Sequence, residues 1–158
     1  MSETADASLA REVRRLSDIE AISQLRARYT TCVDVKDWAG YGDLVTDDFW
    51  LATDGGVITG RDEVVASLSR NLARADTVHH VHTPEFTFSG PDAAEVIWAM
   101  ADDVILPGKD DPFRIRGYGH YHDEYVRDGA GWLMKSSTLK RLRVDTEGEL
   151  AADFGRAE

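Results

Sequence analysis

The sequence predicts an α+β domain: helices first, then a long antiparallel meander, with the helices packed on one face of a strongly curved sheet. The apolar period carries that prediction. It runs at three to four residues as far as Arg74 and changes to two from Thr77 onward. The separators after Phe88, SGPD, PGKDDP and DGAG, each join Asp to Gly or Pro, the chemistry that tight antiparallel connections use. A length of 158 residues without a linker or internal repeat suits one domain spanning 1–158, with its core at about 9–146.

The first eight residues, MSETADAS, and the acidic stretch from Glu147 to Glu158 are expected to fray. Ser17 to Glu20 (SDIE) has the spacing of a capping box and predicts a helix start, with a preceding turn over Leu9 to Leu16 extending it. Ile19, Ile22, Leu25, Tyr29 and Val33 then form one apolar stripe, with Glu20, Arg26 and Arg28 placed toward water. Asp37 to Val45 reads as a short helix weakened by glycine. FWLAT and VIT, separated by Asp54-Gly55-Gly56, read as a hairpin, since Asp-Gly supplies the positive φ of a tight turn. Val64, Leu68 and Leu72 predict a helix over Arg61 to Arg74. Four strands follow: Thr77 to Phe88, Ala93 to Leu106, Phe113 to Arg127 and Trp132 to Val144.

Composition narrows the function. Hydrophobic residues make up 42% and charged residues 30%, ordinary for a globular chain, and the net charge of -11 repels phosphate backbones and anionic lipid. No nucleic-acid or membrane partner is therefore expected. No apolar run nears the roughly 20 residues that span a bilayer, the N-terminus lacks a signal-peptide core, and the single cysteine, Cys32, forms no internal disulfide. The chain reads as cytoplasmic. It contains no phosphate-cradling loop, nucleotide fingerprint or metal-ligand spacing, so no cofactor and no metal are expected.

Three of the five histidines fall within TVHHVHT, residues 77–83. Strand alternation turns His80 and His82 to one face, and His79, Val81 and Thr83 to the other. His120 and His122 form a second same-face pair. A four-imidazole metal site needs both pairs together, and a meander sets another strand between them, so the four are assigned to the outer sheet face as surface or subunit-contact residues. His79 faces the helices, where a lone imidazole needs a hydrogen-bonding partner.

Tyr29-Thr-Thr-Cys-Val-Asp34-Val-Lys-Asp-Trp38, Thr77-Val-His79 and Gly117-Tyr-Gly-His-Tyr121-His-Asp-Glu-Tyr125, ending in Gly131-Trp132, resemble the SnoaL-like branch of the nuclear-transport-factor-like superfamily over Ser17 to Val144. The site pattern is most similar to that of bile-acid dehydratase and scytalone dehydratase. The resemblance implies a cone-shaped α+β barrel and a cofactor-independent lyase, a dehydratase of hydrophobic polycyclic or aromatic hydroxy-carbonyl compounds from polyketide or steroid metabolism. It also implies a homo-oligomer, trimer or dimer, with His80 and His82 near the contact. The family's catalytic pair maps onto Asp34 and His79. An imidazole with its ordinary pKa near 6.5 suits proton abstraction beside a carbonyl, and a carboxylate on its other nitrogen fixes the tautomer. Tyr29 matches a tyrosine near that pair, placed to donate to the substrate carbonyl, and equally fits a core-facing helix aromatic. Asp102 matches an acidic pocket residue, and Asp103 must point the other way. Arg141 matches a pocket arginine. Tyr121 is placed in the cavity with Gly119 leaving room for a ligand, and Trp50 and Trp98, as core and rim aromatics, complete the substrate-binding set. The second histidine and the Ser/Asn pair of scytalone dehydratase lack counterparts, which argues against its substrate. An isomerase or cyclase using the same dyad, or a non-catalytic binding or accessory module, remains an alternative.

Overall fold

The computed structural model describes residues 2–129 and 131–150; the tail expected to fray lies, from residue 151 on, outside them. Helix α1 runs from Ser2 to Val35, much longer than the capping signal implied. No capping box forms. Ser17 sits inside the helix and its hydroxyl donates to the Val13 carbonyl at 2.9 Å. The stretch before it is rich in Ala, Leu, Arg and Glu, contains neither Gly nor Pro, and carries an Arg15–Glu12 pair, so nothing interrupts helical propensity. Residues 4–17 are exposed. The helix enters the core at Asp18, which accepts from Arg127 Nη2 at 2.5 Å and Trp132 Nε1 at 3.1 Å.

Short helix α2 (Trp38–Gly42) is capped by Asp37, whose side chain accepts from the Gly40 amide. The hairpin β1 (Val45–Thr53) and β2 (Gly56–Thr59) precedes α3 (Arg61–Asn71), and the meander follows: β3 (Asp76–Phe88), β4 (Ala93–Leu106), β5 (Phe113–Asp128) and β6 (Gly131–Glu147). They form one sheet in the order β2-β1-β6-β5-β4-β3. All pairs are antiparallel except β1 with β6, a parallel pairing that the hairpin and meander signals do not contain.

Register shifts at Val81/Pro84, Tyr118/Gly119 and Glu124/Tyr125 bend the sheet around α1 and α3. The first of them breaks the alternation in β3. Thr77, His79 and Val81 face inward, Thr83 is exposed, and Pro84, Phe86 and Phe88 resume the inner face. The expected inward Thr83 is thus corrected by one extra residue in the strand.

Inside the concave face, Ile22, Leu25, Tyr29 and Val33 of α1 pack against Phe49, Leu51, Val96, Trp98, Met100, Tyr125 and Met134. Arg26 belongs with them. Contrary to the expectation that it faces water, it is wholly buried, at helical spacing from Ile22 and Tyr29 on the same face. Its guanidinium lies 3.2 Å from Asp123 of β5, also fully buried, and sits 4.5 Å and 3.9 Å from the ring centroids of Tyr29 and Tyr121. Tyr125 donates to the same Asp123 carboxylate at 2.9 Å. Burial pushes the Asp123 carboxyl up, and Arg26 pulls it back.

Candidate active site

A cavity of about 400 Å³ lies between α1, α3 and the concave sheet face. Val33, Leu51, Leu68, Leu72, Val104, Ile115, Leu139 and Val144 make most of its wall, while Tyr29, Thr30, Thr53, Asp54, His79, Asp102, Tyr121 and Arg141 supply the polar groups. A cavity of this size and polarity suits a small hydrophobic ligand oriented by a few hydrogen bonds.

Asp34 comes to lie behind this cavity's wall because of how α1 stops. Lys36 takes a left-handed conformation at φ 63°, its amide bonds the Val33 carbonyl, and the Asp37 amide bonds the Cys32 carbonyl at 2.8 Å. That is a Schellman ending in which Val35 caps the helix and Asp34 lies in its last turn. β3 is an edge strand, and Asp34 satisfies one of its free donors: the His79 amide donates to Oδ2 at 2.9 Å. The Asp34 Oδ1 lies 2.6 Å from His79 Nδ1, with the two side chains 22% and 15% exposed respectively.

Proton positions in this cluster follow from valence. Lys36 Nζ, which only donates, bonds Thr77 Oγ1 at 2.8 Å; the Thr77 hydroxyl donates in turn to Asp34 Oδ1 at 3.0 Å. Burial raises the Asp34 carboxyl, but the hydrogen bonds from His79 and Thr77 outweigh it and hold the group below its ordinary value. An ionised carboxylate accepts only. His79 Nδ1 therefore carries a proton, and in the neutral imidazole the lone pair falls to Nε2. His79 lines the cavity, whereas Asp34, Lys36 and Thr77 line a separate polar cleft. The Asp34–His79 contact bridges the two.

Tyr29 lines the cavity and accepts from Tyr41 Oη at 3.0 Å, which leaves its own hydroxyl hydrogen available to a ligand. Asp102 and Tyr121 also line it. Arg141 does as well: its Nη1 and Nη2 donate to Asp102 at 2.9 and 2.5 Å, and its Nε is 3.5 Å from Asp54. Asp103 points to the outer face and pairs with Arg114.

Two assigned residues do not reach the cavity. Trp50 alternates with the buried Phe49 and Leu51 and so occupies the opposite face of β1. Trp98 is buried at 3% exposure, but in the core, edge-on to Phe86 at 5.9 Å. Gly119 also differs from expectation. A side chain there would strike the Lys140 carbonyl of the neighbouring strand, so its smallness serves a close backbone approach and not a ligand. The sequence reading missed Lys36, Thr77 and Asp54. The signal for Lys36 and Thr77 was their place inside the D-x-K and T-x-H strings; Asp54 was read only as a turn residue.

On the outer face, His80 and His82 are exposed, and His120 and His122 lie two strands away on β5. Among the described residues, no group of three or more His, Cys, Asp and Glu is arranged to hold a metal ion, and no helix is long and apolar enough to cross a membrane.

Residues 14–138 match the SnoaL-like domain family. Among curated proteins, the chain is similar to the probable cyclase FGR4 of Gibberella zeae, 24% identical over 133 residues that cover 77% of this chain and 89% of the relative. It is also similar to the terrestric acid biosynthesis cluster protein E of Penicillium crustosum, 29% identical over 133 residues that cover 79% and 83% of the two chains. Among solved structures, a type 2 hexachlorocyclohexane dehydrochlorinase (LinA) superposes with a TM-score of 0.78 at 18% identity, covering 89% of this chain and 97% of that one. At that identity the likeness speaks for the shared cone-shaped fold.

Proposed function

The chain belongs to the SnoaL-like domain family, and from that premise we propose that it is a cofactor-independent lyase, a dehydratase acting on a hydrophobic polycyclic or aromatic hydroxy-carbonyl compound. The observation that supports this reading most is the 2.6 Å contact of Asp34 with His79 at the wall of an apolar cavity. The free Nε2 of His79 takes the proton next to the substrate carbonyl. Asp34 stabilises the imidazolium that forms, as a carboxylate partner does in a catalytic triad. Tyr29 donates to the carbonyl oxygen as enolate charge develops on it. The imidazolium then returns its proton to the β-hydroxyl, the C–O bond breaks, and water leaves behind a conjugated double bond. One histidine serves as base and then as acid.

The likeness to a probable cyclase favours a second reading, in which the same base triggers ring closure or isomerisation without loss of water. Mass spectrometry of the enzyme with a panel of aromatic and polycyclic β-hydroxy ketones separates these readings. Loss of one water supports the dehydratase, and a product of unchanged mass supports the isomerase or cyclase. Ligands that bind with no turnover across the panel would refute both and leave a binding module.

Lys36 offers a test of how the dyad is held. Replacing it with glycine keeps the left-handed backbone, which glycine adopts without penalty, and removes the ammonium that fixes Thr77. Melting temperature should stay level or rise, while kcat falls about tenfold, the worth of one hydrogen bond to a charged group. Unchanged kcat would show that Asp34 is held well enough without it.

A further inference from the structure

Among the described residues, Arg141 is the one residue of the cavity wall with a fixed positive charge. A lone guanidinium in an apolar pocket is an anchor for carboxylates and phosphates. Here its charge is already matched. Asp102, with a side chain only 1% exposed, takes both terminal nitrogens in a fork, and Asp54 approaches Nε from the β1–β2 turn. The fork is also built into the neighbouring strand. Gly117 lies opposite Asp102 on β5, and a Cβ there would overlap Arg141 Nη1 and Asp102 Oδ1. Only glycine leaves the pair its space. Two carboxylates against one guanidinium make this side of the cavity net negative, while the second hydrogens of Nη1 and Nη2 remain able to donate to a neutral oxygen.

On the reading of this cavity as the substrate site, we propose that Asp102, with Asp54, makes Arg141 a recognition group for uncharged oxygen functions, so that the site takes neutral ketones, phenols and ethers and rejects carboxylates and other anions. An anion entering the cavity loses its hydration and meets no unmatched positive charge. It also meets Asp54 at the rim. A neutral carbonyl loses little hydration and gains a donor. Asp102 and Asp54 thus determine specificity by what they exclude.

The test is binding of 2-acetylnaphthalene against 2-naphthoate, a neutral ketone and an anion of similar shape, by calorimetry at neutral pH. No turnover is needed, so failure of the dehydratase reading leaves this test intact. Wild type should bind the ketone at least tenfold more tightly than the carboxylate. Asp102→Asn, which frees the guanidinium, should narrow or invert that ratio by at least tenfold. Asp54→Asn should move it the same way by about two- to threefold, since Asp54 is 69% exposed and screened by solvent. Wild type binding the carboxylate as tightly as the ketone, or binding neither, would overturn the proposal, as would an unchanged ratio in a folded Asp102→Asn. Should that variant fail to fold, an unchanged ratio in Asp54→Asn overturns it instead.

Discussion

His79→Ala lowers kcat by about a hundred- to ten-thousand-fold, the usual worth of positioned proton transfer, with KM little changed. Both proton movements of the proposed elimination pass through one imidazole, and no other described group within the cavity combines a free lone pair with a carboxylate behind it. Tyr29 and Tyr121 cannot take over. Burial raises both phenols well out of the range of a base at neutral pH, against the pull of Arg26. Fold loss is not expected, because the imidazole fills part of a cavity wall and the His79 amide keeps its own bond to Asp34. Circular dichroism and melting temperature should match wild type. Turnover within threefold of wild type in a folded variant would remove His79 from the chemistry. Asp34→Asn should also be impaired, since an amide can present its NH₂ to Nδ1 and reverse the tautomer, leaving Nε2 protonated and unable to accept.

The largest stability effect belongs to Arg26. Arg26→Met should cost about 3–5 kcal/mol, because it leaves the Asp123 carboxylate buried without its countercharge. In a chain of this size that lowers the melting temperature by about 10 °C. The double variant Arg26→Met with Asp123→Leu should recover most of the loss, as neither charge remains to be compensated. Thermal unfolding of both variants decides it. Equal destabilisation of single and double would mean that packing around Arg26, and not its charge, holds the region. Acidity supplies a second sign. Burial already raises the Asp123 carboxyl and Arg26 opposes it, so removing Arg26 raises it further. A carboxyl raised in the folded state destabilises above its unfolded value and recovers as pH falls through the folded one. The single variant should therefore gain stability, relative to wild type, on going from neutral to mildly acidic pH.

Much of the architecture was legible in short stretches. Ile22, Leu25, Tyr29 and Val33 announce a core-facing helix stripe, Asp54-Gly55 announces a hairpin, and alternation from Ala93 to Leu106 delimits β4 to the residue. Each signal depends on residues within a few positions of one another, and backbone geometry alone turns them into elements. The helix start was misplaced for the same reason: SDIE satisfies a local rule, and the helix-forming stretch before it overrides that rule. At the site, family-like strings led to Asp34, His79, Tyr29, Asp102, Tyr121 and Arg141, all of which lie at the cavity or, for Asp34, directly behind it. Trp50 and Trp98 were chosen for their chemistry alone, and the alternation of β1 and the depth of β4 put them elsewhere.

By itself, then, the sequence determined the helix stripe, the hairpin, the long strands, the acidic character and the residue types available for proton transfer. Only the tertiary structure decided that Arg26 meets Asp123 and Arg141 meets Asp102, and it alone set the geometry of the Asp34–His79 pair that the resemblance implied. The partners in each pair stand far apart along the chain, and they come together through strand order, bulges that bend the sheet, and the stop of α1 at Lys36. Periodicity records which side of an element faces inward; it carries no record of what waits there. A guanidinium on an apolar stripe looks destined for water until the opposing strand supplies a carboxylate, because the energy of a charge depends on its surroundings more than on its own residue type.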